Sequence, residues 1–175
     1  MKLGKIVMTG KPMPEADLFI RERCEVQSWD EPGVMPRQLL LEWLADAEGL
    51  MVVGGQPVKV DAELLAHAPK LRVIAQSSVG YDNVDVEACT VRGVPFGNTP
   101  GVLTEATADL TYLLVLSAAR RLKESLAIVQ EGRWTPTYPI PLGVDLFGKT
   151  LGMVGLGQIG SAVARRAMAS GMNVI

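Results

Sequence analysis

Thr150-Leu151-Gly152-Met153-Val154-Gly155-Leu156-Gly157-Gln158-Ile159-Gly160 is the stretch whose reading decides the fold. Its first five residues make an apolar run of strand character, which passes without a spacer into Gly-x-Gly-x-x-Gly. Beyond it, Ala162, Val163, Arg166 and Ala167 recur at helical spacing. The glycine pattern alone has little specificity. Between a buried strand and an amphipathic helix it opens a dinucleotide-binding βαβ unit. The three glycines have separate tasks. Gly155 permits the tight turn, Gly157 lets the backbone approach a pyrophosphate, and Gly160 lets the helix pack closely on the strand. The first amides of the helix then face the anion. The plainer alternative is a glycine-rich turn with no ligand.

Upstream of this unit, short apolar runs alternate with helical patterns. Residues 5–8, 26–28, 50–53, 71–75 and 94–96 read as strands, the last an edge strand because of Pro95. Between them, a helix over 14–21 is expected to turn Leu18 and Phe19 inward. A second, opened by Pro36, carries the stripe Leu39, Leu40, Trp43 and Leu44, with Gly49 as its stop. The strand over 50–53 runs into Gly54-Gly55. Asp61 caps a short helix through His67, and Asp85 caps another that Gly93 closes. Strands without alternation, separated by helices, predict a parallel sheet covered on both faces. The boundary falls at Asn98-Thr99-Pro100-Gly101. A long helix over 104–123 follows, roughly 30 Å at 1.5 Å per residue. Its apolar residues lie on both sides, Leu110, Leu113 and Leu114 against Tyr112, Val115 and Leu116, which points to a partner subunit. Residues 134–143, with Pro136, Pro139 and Pro141, read as an extended connection.

Composition excludes several classes. The 175 residues are 48% hydrophobic and 21% charged, which describes a globular chain rather than a disordered one. Lys+Arg 17 against Asp+Glu 19 leaves a formal charge of −2, with no basic excess for nucleic acid. The N-terminal apolar run is too short for a signal peptide. Residues 110–119, the longest apolar stretch, are interrupted by Thr111 and Ser117, whereas a membrane span needs about twenty apolar residues. Cys24 and Cys89 make neither a disulfide framework nor a metal cluster, so no metal site is expected. They are most simply packing residues, and a cytoplasmic location follows.

Three stretches together resemble the D-isomer-specific 2-hydroxyacid dehydrogenases, particularly the glyoxylate/hydroxypyruvate reductase branch. They are Ser78-Val79-Gly80-Tyr81-Asp82-Asn83-Val84-Asp85, then Asn98-Thr99-Pro100-Gly101-Val102-Leu103-Thr104-Glu105-Ala106-Thr107-Ala108-Asp109, and Gly148-Lys149-Thr150-Leu151-Gly152 through Gly160. Order and spacing match as well. One departure is Gln158, where the family usually has arginine. It removes a charge beside the phosphates but leaves the backbone cradle.

The resemblance implies a flavodoxin-like, parallel-sheet substrate-binding domain over 1–98. Over 99–175 it implies a dimerisation helix and the first unit of a Rossmann domain, in an α/β chain that forms a homodimer through the helix 104–123. It implies NAD or NADP as cofactor and a small 2-oxo or 2-hydroxy acid as substrate. Val79 and Gly80 resemble the turn whose amides hold the substrate carboxylate, with Val79 also near the nicotinamide. Gln158 and Ile159 resemble the residues whose backbone touches the pyrophosphate. Thr107 resembles a hydroxyl that reaches the cofactor; it reads equally as a core-facing helical threonine. Asp82, Asn83 and Asp85 read as turn formers and a helix cap. Arg120 and Arg121 read as cations at a helix C-terminus.

In this family a histidine oriented by a carboxylate protonates the carbonyl oxygen while an arginine grips the substrate. The single histidine here, His67, matches no catalytic position, so no catalytic residue is assigned. The residue that reads the adenosine ribose lies about twenty positions beyond the glycine motif, past Ile175, so NAD cannot be told from NADP. The expectation is a truncated reductase without activity by itself. The alternative is a non-catalytic dimerising or nucleotide-sensing remnant.

Overall fold

The computed structural model describes residues 2–54 and 58–175, so the expected turn at Gly55 lies outside the described residues. The chain divides into two compact units, Met1–Pro100 and Gly101–Ile175.

The first unit alternates strands and helices: β1 (Lys5–Met8), α1 (Pro14–Arg23), β2 (Glu25–Ser28), α2 (Arg37–Leu44), β3 (Gly49–Val52), α3 (Ala62–His67), β4 (Val73–Gln76), α4 (Val86–Arg92) and β5 (Phe96–Gly97). All five strands are parallel, in the order β2-β1-β3-β4-β5. This is the flavodoxin-like order, and it reverses between β1 and β3. Val7, Leu50, Val52 and Ile74 from the strands meet Leu40, Leu44 and Leu64 from the helices in one core. Two caps are local and strong. Asp61 accepts from the Leu64 amide at 3.0 Å, and Asp85 accepts from Ala88 at 2.8 Å. Gly93 then closes α4 at φ +70°.

Two expectations about this unit need correction. α1 buries no residue, and Leu18 and Phe19 are 63% and 58% exposed. Adjacent apolar residues are 100° apart on a helix and make no stripe. The half-buried apolar residues of α1 are instead Ala16 and Ile20, four apart, while the Arg23 guanidinium stacks 3.8 Å from the Phe19 ring centroid. Gly49 does not stop α2, which ends at Leu44; it opens β3 and pairs with both Ile6 and Val73. A Cβ there would come within 3.2 Å of the Ile6 side chain, a tight contact that glycine avoids.

The second unit holds α5 (Thr104–Ala119), α6 (Leu122–Gln130), β6 (Thr150–Leu151), α7 (Gln158–Ala169) and β7 (Asn173–Val174). β6 and β7 are parallel, and the Met153 amide adds one bond to the Ile175 carbonyl at 2.7 Å. The regular strand is thus shorter than the expected 150–154. The helix expected over 104–123 breaks at Arg121, whose φ is +53°. A segment distant in sequence meets the helix end. The Ala119 carbonyl accepts from the Val144 amide at 2.8 Å instead of from a following helical turn. Gly143 comes so close that a Cβ would lie 2.6 Å from that same oxygen. α5 packs on α7 through small residues, Ala108 against Ala162 and Val163. Arg166 bridges Asp109 at 2.5 Å and Glu105 at 2.9 Å beside this contact.

Candidate functional site

Two turns carry the candidate chemistry, one in each unit. In the first unit β4 ends at Gln76, and the chain leaves the sheet at its carboxyl edge, where doubly wound sheets bind ligands. Here three consecutive carbonyls are occupied by protein donors. Ser78 O accepts from the Thr99 amide at 3.1 Å, and Val79 O accepts from Asn98 Nδ2 at 2.8 Å. Gly80 O accepts from Gln76 Nε2 at 2.6 Å and Ser78 Oγ at 2.8 Å. The amides of Val79 and Gly80 have no acceptor among the described residues. A turn whose carbonyls are engaged and whose amides are free is suited to an anion.

Asn83 does more than form a turn. Its Nδ2 donates to Val58 O at 2.7 Å and to Gln76 Oε1 at 2.9 Å, while its Oδ1 accepts from Gln76 Nε2 at 3.0 Å. Gln76 went unnoticed in the sequence. Its one signal there is a polar residue closing the otherwise apolar run Val73-Ile74-Ala75.

In the second unit Gly155 takes φ +98°, a left-handed conformation that disfavours any side chain. Gly160 answers to packing: a Cβ there would sit 2.4 Å from the Gly155 carbonyl oxygen. Gly157 answers to neither. Its φ is −73°, and a Cβ would meet no atom within 4 Å. Nothing in the packing around residue 157 demands glycine there. α7 begins directly after it with no side-chain cap and no acidic residue in its first turn. Its first hydrogen bond inside the helix runs from the Ser161 amide to Gly157 O at 2.8 Å. The Gln158, Ile159 and Gly160 amides therefore lack helical acceptors, as at any helix start. The exposed Gln158 side chain accepts from Thr104 Oγ1 at 3.2 Å.

The remaining candidates divide plainly. Thr107 is half-buried on α5, with its carbonyl accepting from Thr111 Oγ1 at 2.7 Å. His67 is exposed on α3, its Nδ1 2.9 Å from Glu63 O. Cys89 is buried, and burial with the nearby Asp85 charge pushes its thiol up, the opposite of an activated nucleophile. No cluster able to hold a metal ion occurs among the described residues, and no described helix is long and apolar enough to cross a membrane.

The family described as D-isomer specific 2-hydroxyacid dehydrogenase, catalytic domain, matches residues 6–172, and the chain belongs to it. Among relatives, the glyoxylate reductase of Thermococcus litoralis is 45% identical, over 98% of this chain and 53% of its own length. That of Korarchaeum cryptofilum is 42% identical, over 97% and 51%. Among solved structures, a glyoxylate reductase from Paecilomyes thermophila superposes with a TM-score of 0.80 at 30% identity, covering 99% of this chain and 55% of that one. The NADPH-dependent glyoxylate/hydroxypyruvate reductase of Sinorhizobium meliloti, in complex with NADP and malonate, gives 0.77 at 32%, covering 97% and 51%. The chain spans about half the length of the curated relatives it matches.

Proposed function

We propose that these residues supply the acid-binding domain, over 1–98, and the first dinucleotide-binding unit, over 99–175, of a reductase acting on small 2-oxo acids such as glyoxylate or hydroxypyruvate. The observation that carries the reading is the pair of turns with unbonded amides, at Val79-Gly80 and at 158–160. NADH or NADPH, when bound, supplies the hydride for the carbonyl carbon. The Val79 and Gly80 amides hold the carboxylate of the acid. Gly155, Gly157 and Gly160 shape the backbone that the amides of Gln158 and Ile159 present to the pyrophosphate, and the Thr107 hydroxyl reaches toward the same cofactor.

Neither turn carries a histidine to protonate the carbonyl oxygen. His67, the only histidine, is exposed on α3 and belongs to neither turn. These 175 residues by themselves therefore bind without turning over. Binding is weak: a helix N-terminus contributes about 0.3–2 kcal/mol to an anion, against about 8 kcal/mol for micromolar affinity. The exposed Leu110, Leu113 and Leu114 on α5 support a homodimer through that helix rather than through a continuous 104–123 element. The free thiols of Cys24 and Cys89 suit a cytoplasmic protein. A dimerising remnant without catalysis would share the leucines; the unbonded amides of both turns favour the reductase.

Amide-resolved NMR of the 175-residue chain tests this. Adding NADH is expected to shift the amides at 157–160 saturably, and adding oxalate those of Val79 and Gly80, with no NADH oxidation when glyoxylate is present. Absence of saturable shifts at both turns would overturn the proposal, and turnover above a heat-killed control would overturn its claim about the proton donor.

A further inference from the structure

Burying a primary amide is unfavourable unless its polar atoms are satisfied. Thr9 and Gln76 are buried polar side chains, and both lie at the carboxyl edge of the five-stranded sheet. The Thr9 hydroxyl accepts from the Val53 amide at 3.0 Å, so its burial is explained by the neighbouring chain. Gln76 is different. It is 5% exposed, and every hydrogen bond of its side chain goes to the segment 78–83. Its Nε2 is shared among Ser78 Oγ at 2.8 Å, Gly80 O at 2.6 Å and Asn83 Oδ1 at 3.0 Å. Its Oε1 takes the second proton of Asn83 at 2.9 Å.

A leucine or methionine in this place would fill the core without that need. The amide is explained by the turn it grips. Asn83 is anchored in its own right: its side chain donates to Val58 O, its carbonyl accepts from the Val60 amide at 2.9 Å, and Asp85 N donates to Val60 O at 2.8 Å. The reciprocal Gln76–Asn83 pair therefore ties the end of β4 to a fixed point across the loop. What lies between is the Val79-Gly80 turn.

We propose that the Gln76–Asn83 amide pair is a positioning device for 2-oxo acid binding. It holds the Gly80 carbonyl inward, so that a carboxylate meets the Val79 and Gly80 amides and not a carbonyl lone pair. Neither side chain touches the acid; both act through the backbone of the turn. The proposal rests on the reading of Val79-Gly80 as the carboxylate-holding turn. It adds that affinity for the acid and affinity for the dinucleotide are set by separate devices, one of which is a side-chain amide pair.

The test uses the 15N-labelled 175-residue chain titrated separately with oxalate and with NADH. Gln76→Met keeps the volume and removes the amide, and Asn83→Leu removes the same pair from the other side. Each is expected to weaken oxalate binding roughly tenfold, about 1.4 kcal/mol, with the NADH response at 157–160 unchanged. The double variant is expected to lose less than the sum of the two single losses, because the Gln76–Asn83 bonds are removed by either substitution. Oxalate affinity within twofold of the parent in the folded variants would overturn the positioning role. So would an equal loss of NADH affinity, which marks general loosening. If Gln76→Met does not fold, Asn83→Leu decides alone. If the parent itself shows no oxalate response at Val79 and Gly80, the carboxylate reading falls, and the positioning role with it.

Discussion

The turn after β4 and the turn before α7 both leave backbone amides free, yet they are held in opposite ways. The first is held by side chains. Gln76, Asn83 and Asn98 take up the carbonyls and brace the loop from below and behind. The second is held by the absence of side chains, with Gly155 free to reach φ +98° and Gly160 lying against the Gly155 carbonyl. A side-chain brace leaves room for adjustment, since one donor can be lost while others remain. A glycine brace has less slack: a methyl group at 160 presses on backbone, and one at 155 meets a disfavoured φ. The difference teaches that similar electrostatic ends can be reached with very different tolerance to substitution.

The largest effect is accordingly expected at Gly160. Gly160→Ala places a Cβ 2.4 Å from a backbone oxygen that cannot swing aside. A stability loss of about 1–3 kcal/mol is expected from such overpacking, read as a lower urea midpoint for the second unit. A midpoint equal to the parent would break the contrast between the two turns.

A smaller effect is expected in the first unit, where Asp61 caps α3 next to Val60, which pairs with Val84 at the far end of the braced loop. Asp61→Ala removes one cap, worth about 1 kcal/mol. Burial pushes the Asp61 carboxyl up, but the Leu64 amide and the Arg37 guanidinium outweigh it and hold the group below its ordinary value. A folded-state value below the unfolded one means the stabilisation is present above the unfolded pKa of about 3.9. It is lost as pH falls through the lower folded-state value. The gap between parent and Asp61→Ala in a denaturant melt is therefore expected to stay constant from neutral pH to about pH 5 and to close in stronger acid. A gap that widened in acid would contradict the assignment.

How far these features can be read from sequence depends on the reach of the interaction behind them. The caps at Asp61 and Asp85 and the turn at Gly93 are settled within four residues, and the sequence reading places them correctly. The parallel sheet follows from the unbroken apolar runs. The Gly-x-Gly-x-x-Gly turn is legible because Gly155 and Gly160 answer to demands set within a few residues. By contrast, the break at Arg121 comes where Ala119 bonds Val144, more than twenty positions away, and two arginines give no warning of it. Gly49 looks like a helix stop until its neighbours Ile6 and Val73 are in place. Leu18 and Phe19 look like core residues because hydrophobicity is visible in a sequence, whereas the side of α1 that meets the sheet is not. Gln76 was passed over for a similar reason. A lone polar residue at a strand end acquires meaning only when Asn83 is brought back to it.

The central claim is that free backbone amides at the start of α7 serve a ligand, with Gly157 present for that ligand and not for the fold. The most direct measurement pairs the urea midpoint of Gly157→Ala with its NADH titration, followed at the amides of 158–160. The account predicts a midpoint within about 0.5 kcal/mol of the parent and an NADH response weakened at least tenfold, roughly 1.4 kcal/mol or more. Full NADH binding by Gly157→Ala, or a stability loss as large as that of Gly160→Ala, would contradict it.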